Sequence, residues 1–116
     1  MAIPIPKSKR QSPSHQRSKR QETEIAKRTG GHKTPGSGSK NVKGDVRLKS
    51  VLRVEAKTTK NSSFSVTVEH LDKIESAVSL TTEVPCMCVE LELGRKKFWV
   101  IPDSYMEEII EIIKCR

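Results

Sequence analysis

Aromatic side chains make up only 3% of this chain, and the four present, Phe64, Phe98, Trp99 and Tyr105, all fall within apolar patterns. That argues against a platform of exposed rings on which single-stranded bases could stack. Cysteine is sparse as well. Cys86, Cys88 and Cys115 are odd in number and form no CxxC pair, so neither a disulfide framework nor a structural zinc site is expected. Cys86 and Cys88 should instead pack as small hydrophobes on one face of a strand. No apolar run approaches the ~18 residues of a membrane span, and the start has no apolar core of the secretory kind. A soluble, cytoplasmic protein without a membrane partner is the expectation. His15, His32 and His70 have neither metal-ligand nor triad spacing. The most informative scarcity is of acids: residues 1–60 hold only Glu22, Glu24, Asp45 and Glu55.

Against those four stand 16 Lys or Arg, a balance of +12, whereas residues 61–116 carry −4. A basic half beside an acidic one predicts a surface that meets a polyanion, because each phosphate neutralised releases counterions. The plainer alternative, a solubilising tail, does not explain why acids stay sparse from residue 21 to residue 60. At 116 residues the chain has room for one domain. Residues 1–18 are basic, hold no acid and offer little to bury, which predicts a disordered arm ahead of a folded domain over 19–116.

Residues 21–29 read as a short helix stopped by Gly30-Gly31, with Glu22 one turn from Ala26 and beside Ile25. Residues 32–43 form a Gly/Ser/Lys loop that cannot build a core and lacks the ending of a phosphate-binding P-loop. Its amides, hydroxyls and lysines suit a sugar-phosphate backbone, and its composition suits an ordinary linker equally well.

The stretch Gly44 to Lys57, GDVRLKSVLRVEAK, reads as a hairpin turning near Lys49-Ser50. Alternation puts Glu55 and Lys57 on one face and Val54 and Ala56 on the other. A reversal of about three residues centred on Ser50 sets Asp45 across from Glu55, their Cβ atoms roughly 5 Å apart. Two carboxylates so placed can share a hard cation such as Mg²⁺, which takes one or two carboxylates plus waters and substrate phosphate oxygens. Glu-x-Lys alone is weak, since on a strand it is commonly a solvated face.

Beyond the hairpin, Phe64-Ser65-Val66 suggests a short strand, and Thr67 is a good N-cap for a helix from Val68 to about Leu80. Residues 85–93 and 97–102 read as strands joined at Gly94-Arg95-Lys96, and Asp103 or Ser104 should cap a last helix. The order predicts an α/β fold with a mixed β-sheet flanked by helices. Phe98, Trp99, Val100 and Ile101 barely alternate, and Ile109, Ile110, Ile112 and Ile113 nearly encircle their turn. That excess of apolar surface predicts an interface between two copies of the chain.

With Glu22, the loop Pro35-Gly36-Ser37-Gly38-Ser39, Gly44-Asp45-Val46 and Val54-Glu55-Ala56-Lys57 in order, the chain resembles the PD-(D/E)XK nucleases, and among them the archaeal and phage Holliday-junction resolvases. The resemblance covers roughly residues 19–102, with Gly44 standing where the family name has proline. It implies a restriction-endonuclease-like core and Mg²⁺-dependent cleavage of DNA, with Mn²⁺ as a substitute ion. It further implies Asp45, Glu55, the Ala56 carbonyl and Glu22 as metal ligands, and Lys57 as the residue that orients water. Glu24 competes with Glu22, and spacing to Ile25 favours Glu22. Candidate DNA contacts are Lys19, Arg20, Lys33, Ser37, Ser39, Lys40, Lys43, Arg47 and Lys60. The implied substrate is a four-way junction cut by a homodimer; the alternatives are a nicking or repair nuclease on duplex DNA, or a non-catalytic basic binder.

Overall fold

The computed structural model describes residues 13–34 and 45–116. Helix α1 (Pro13–Thr29) is followed by β1 (His32–Lys33), β2 (Val46–Leu48), β3 (Leu52–Thr59), α2 (Val68–Ala77), β4 (Val84–Leu91), β5 (Lys96–Val100) and α3 (Met106–Lys114). The five strands lie in chain order in one sheet. All neighbours are antiparallel except β3 and β4, which run parallel because α2 carries the chain back between them. The fold is therefore α/β, a mixed sheet flanked by helices. Among the described residues no helix is long and apolar enough to cross a membrane.

Both faces of the sheet are buried. On one, α1 lays Ile25 over Val46, Val54, Cys86 and Cys88, with Trp99 and Ile101 at the margin. On the other, α2 lays Ile74 over Met87 and Val89, with Phe64, Phe98 and Val100 around them. Cys86 and Cys88 thus behave as the small hydrophobes their spacing implies, and burial pushes the Cys86 thiol up to about 12. Phe98 to Ile101 do alternate between the two cores, so that run is largely consumed within one chain. Helix α3 differs: none of its residues is buried, and Ile110, Ile112 and Ile113 stand exposed.

Other boundaries depart from the sequence pattern. α1 starts at Pro13, so residues 13–18 of the expected arm are helical, while residues 1–12 lie outside the described residues. His32-Lys33, expected in a loop, pairs with β2. Gly31 permits this, because a Cβ there would lie 2.8 Å from the Arg47 carbonyl oxygen. Phe64-Ser65-Val66 is not a strand; Phe64 is held instead by packing against the Ile74 core. Thr67 does cap α2, in a reciprocal box with His70, but the helix ends at Ala77 rather than Leu80. The last helix opens with a 3₁₀ turn, Asp103–Tyr105, and neither segment has a side-chain cap.

Candidate active site

The β2–β3 hairpin sets the site's register. Its connection is Lys49-Ser50-Val51, closed by the Val51 N–H on the Leu48 carbonyl at 3.0 Å, with Ser50 at φ +67°. A left-handed serine is unfavourable, and Glu83, just before β4, compensates by accepting the Ser50 N–H at 3.2 Å. The resulting pairs are Leu48 with Leu52, Arg47 with Arg53 and Val46 with Val54. Asp45 lies just before β2, beyond the last paired residues Val46 and Val54.

Asp45 is pinned by its own backbone. Its N–H donates to the Val54 carbonyl at 2.8 Å, its carbonyl accepts the Thr34 N–H at 3.0 Å, and its Oδ2 accepts the Ala56 N–H at 2.8 Å. Glu55 is buried and points to the α2 face, where Oε1 lies 2.6 Å from Lys73 Nζ and 3.6 Å from Lys57 Nζ. Glu22 arrives from α1. Its position follows from Gln21, buried next to it, whose Nε2 donates to the carbonyls of Lys57 at 2.8 Å and Cys88 at 3.1 Å. These two bonds and Ile25 lock the helix onto the sheet so that Glu22 faces the hairpin. Glu24 faces away and pairs with Lys97 and Arg20.

The four residues meet around one cavity of about 350 Å³. α1 supplies His15, Ser18, Lys19 and Glu22; the segment after α1 supplies Lys33 and Thr34; the hairpin supplies Asp45, Glu55, Ala56 and Lys57. Burial, and next the charge of Asp45, raise the Glu22 carboxyl above its ordinary value. Burial, and next the charge of Glu55, raise Asp45, against the Ala56 N–H and Lys57, which favour its ionised form. Carboxyls raised in this way repel one another, and a bound cation removes that cost. All three are hard oxygen donors, so the donor chemistry fits Mg²⁺ or Mn²⁺. Among the described residues no three His, Cys, Asp or Glu side chains are close enough together to hold an ion as they stand. Glu55 is turned onto two ammoniums and Asp45 onto a backbone N–H.

The expected DNA contacts divide. Lys19 and Lys33 line the cavity, and Lys60 is exposed where β3 ends. Arg20 is instead spent on Glu90 at 3.0 Å and on Glu24 at 3.3 Å. Arg47 is spent on Glu83, with Nη2 2.7 Å from Oε2. In each case a carboxylate distant in the chain, Glu90 on β4 or Glu83 just before it, engages the guanidinium. Ser37, Ser39, Lys40 and Lys43 lie outside the described residues. Gln21, Lys73, His15, Ser18 and Thr34 join the site without a signal in the sequence, apart from the proximity of Gln21 to Glu22. No protein-family model and no curated protein matches the chain.

Proposed function

We propose that this chain is a metal-dependent endonuclease of the PD-(D/E)XK type that hydrolyses DNA phosphodiesters. The observation that carries the reading is the meeting of Glu22, Asp45, Glu55 and Lys57, from α1, from the residue before β2, and from β3, at one cavity bordered by Lys19 and Lys33. Asp45, Glu55, Glu22 and the Ala56 carbonyl are the groups that would hold Mg²⁺, which when bound polarises phosphate and lowers the pKa of water. The chain's own residues do the rest. Lys19 and Lys33 offset the charge of the incoming phosphodiester, without which three carboxylates would repel it. Lys57, beside Glu55, orients the attacking water and opposes the negative charge that develops on the phosphate oxygens. The Ala56 N–H favours the ionised form of Asp45 and aims it.

Within this class we read the substrate as a four-way junction and the active form as a two-fold homodimer, since paired incisions need two sites and each chain has one. The exposed isoleucines of α3 support an interface. The absorption of Phe98 to Ile101 into the monomer's two cores favours instead a single-cutting nuclease on duplex DNA, because it removes half of the apolar surface expected for pairing. Incubation with Mg²⁺ and matched four-way, Y-shaped and linear DNAs separates the readings. Symmetric paired cuts in the junction by a dimer support the resolvase. Nicking of every substrate by a monomer supports the alternative. Binding without cutting overturns both and leaves a basic nucleic-acid binder.

A further inference from the structure

Lys73 contacts the site from the far side of the sheet. α2 is rotationally fixed by its Thr67–His70 capping box and by Ile74, which is buried against Met87 and Val89. The residue before Ile74 is therefore aimed at β3, and its Nζ lies 2.6 Å from Glu55 Oε1. That same oxygen is 3.6 Å from Lys57 Nζ. Among the described residues these two ammoniums are the partners of Glu55, although only 8% of its side chain is exposed. The lysines differ in freedom: the Lys73 side chain is 60% exposed and that of Lys57 31%. Lys73 can therefore withdraw into water on its flexible four-carbon stem, whereas Lys57 is confined by its strand.

A divalent ion held by Asp45 and Glu55 would compete with Lys73 for the charge of the Glu55 carboxylate. Two ammoniums and a doubly charged ion cannot crowd one carboxylate without strong repulsion, and Lys73 is the partner able to leave. Resting on the reading of this cavity as a metal site, we propose that Lys73 is an internal cation. It neutralises Glu55 while no metal is bound, is displaced when the divalent ion loads, and so sets the ion concentration at which the site fills. Lys73 is thus a positioning residue that acts through Glu55. Its role is exchange, which requires the exposure it has and the weak pairing of a lysine rather than the fork of an arginine.

The test is Mn²⁺ binding by the full chain without DNA, measured by titration calorimetry for the wild type, Lys73→Met, and Lys49→Met as a control of equal charge change on the hairpin turn. Lys73→Met should bind Mn²⁺ roughly fivefold more tightly, the factor equivalent to about 1 kcal/mol for a partly exposed ion pair. Lys49→Met should bind as the wild type does. Mn²⁺ should also raise the Tm of Lys73→Met by more than that of the wild type, because the tighter site gains more from the same ion. Lys73→Gln, which keeps a polar end, serves in the same way if Lys73→Met fails to fold. Equal or weaker binding by the Lys73 variants, with the wild type binding normally, overturns the displacement and leaves the metal site intact. Absence of Mn²⁺ binding in every variant overturns the metal site and the displacement with it.

Discussion

Glu55 and Glu83 lie 28 residues apart in the chain and each is met by a pair of cations, and the contrast between the two separates structure from chemistry in this molecule. Glu83 is held by Arg53 Nε at 2.7 Å, by Arg47 through two nitrogens and by the Ser50 N–H. Burial works against its charge, yet the two arginines and the backbone donor outweigh it and hold the carboxyl below its ordinary value. Every partner is fixed by a strand or a turn. Glu55 is comparably buried but is met by two lysines, one of them largely in water. Planar forks that satisfy a carboxylate completely make a permanent joint, whereas point charges on mobile stems leave its oxygens available.

The largest effect that would sharpen this contrast is on catalysis. Glu55→Gln should lower cleavage about 10³-fold or more at saturating Mg²⁺. It should alter stability by less than about 1 kcal/mol, since Lys73 can turn to solvent and Lys57 is already partly exposed. Single-turnover rates beside thermal melts measure both, and retained cutting would break the comparison at its functional end. Glu83→Ala should do the reverse. Stranding Arg53 in the interior costs about 3–5 kcal/mol, lowering Tm by more than about 10 °C, while cleavage per folded molecule stays near normal.

Acid should act on the joint in a defined direction. The folded pKa of Glu83 lies below its unfolded value, so its contribution is complete above the ordinary value of 4.5 and is lost as pH falls through the folded one. Wild-type Tm should therefore fall more steeply below pH 4.5 than that of Glu83→Gln, which starts lower and stays flatter. The smallest effect concerns two basic residues with different duties. Arg47→Ala should cost about 1 kcal/mol of stability and leave the salt dependence of DNA binding unchanged. Lys33→Ala should leave stability alone and reduce the log–log salt slope by about one. Equal slopes for the two would show that Arg47 is not committed to Glu83 when DNA is present.

What could be read in advance follows the range of the forces involved. The hairpin, its three-residue turn and the convergence of Asp45 and Glu55 on one cavity depend on local alternation and are legible in residues 44–57. The preference for Glu22 over Glu24 was visible because Ile25 marks the buried side of the helix. Lys73 was not visible, because on α2 it reads as an ordinary solvated position and only tertiary packing aims it at Glu55. The same is true of Arg47, whose partner is 36 residues away, and of β1, a two-residue strand whose existence depends on the closeness that Gly31 allows. The strand expected at Phe64 is absent for the converse reason: its residues have the right character, but Phe64 is taken up by tertiary packing against the Ile74 core.

The Gln21 clamp has a consequence for how the protein comes into being. Its two bonds join α1 to carbonyls 36 and 67 residues later in the chain. Glu22 therefore cannot be seated until β4 has been synthesised and has paired with β3. Contacts of such sequence separation form late, after their loop-closure entropy has been met. A basic nascent chain can bind nucleic acid long before that point, through charge alone. It cannot bring Glu22, Asp45 and Glu55 together until the sheet is complete, so the order of folding itself delays assembly of the cavity until the chain has acquired its native form.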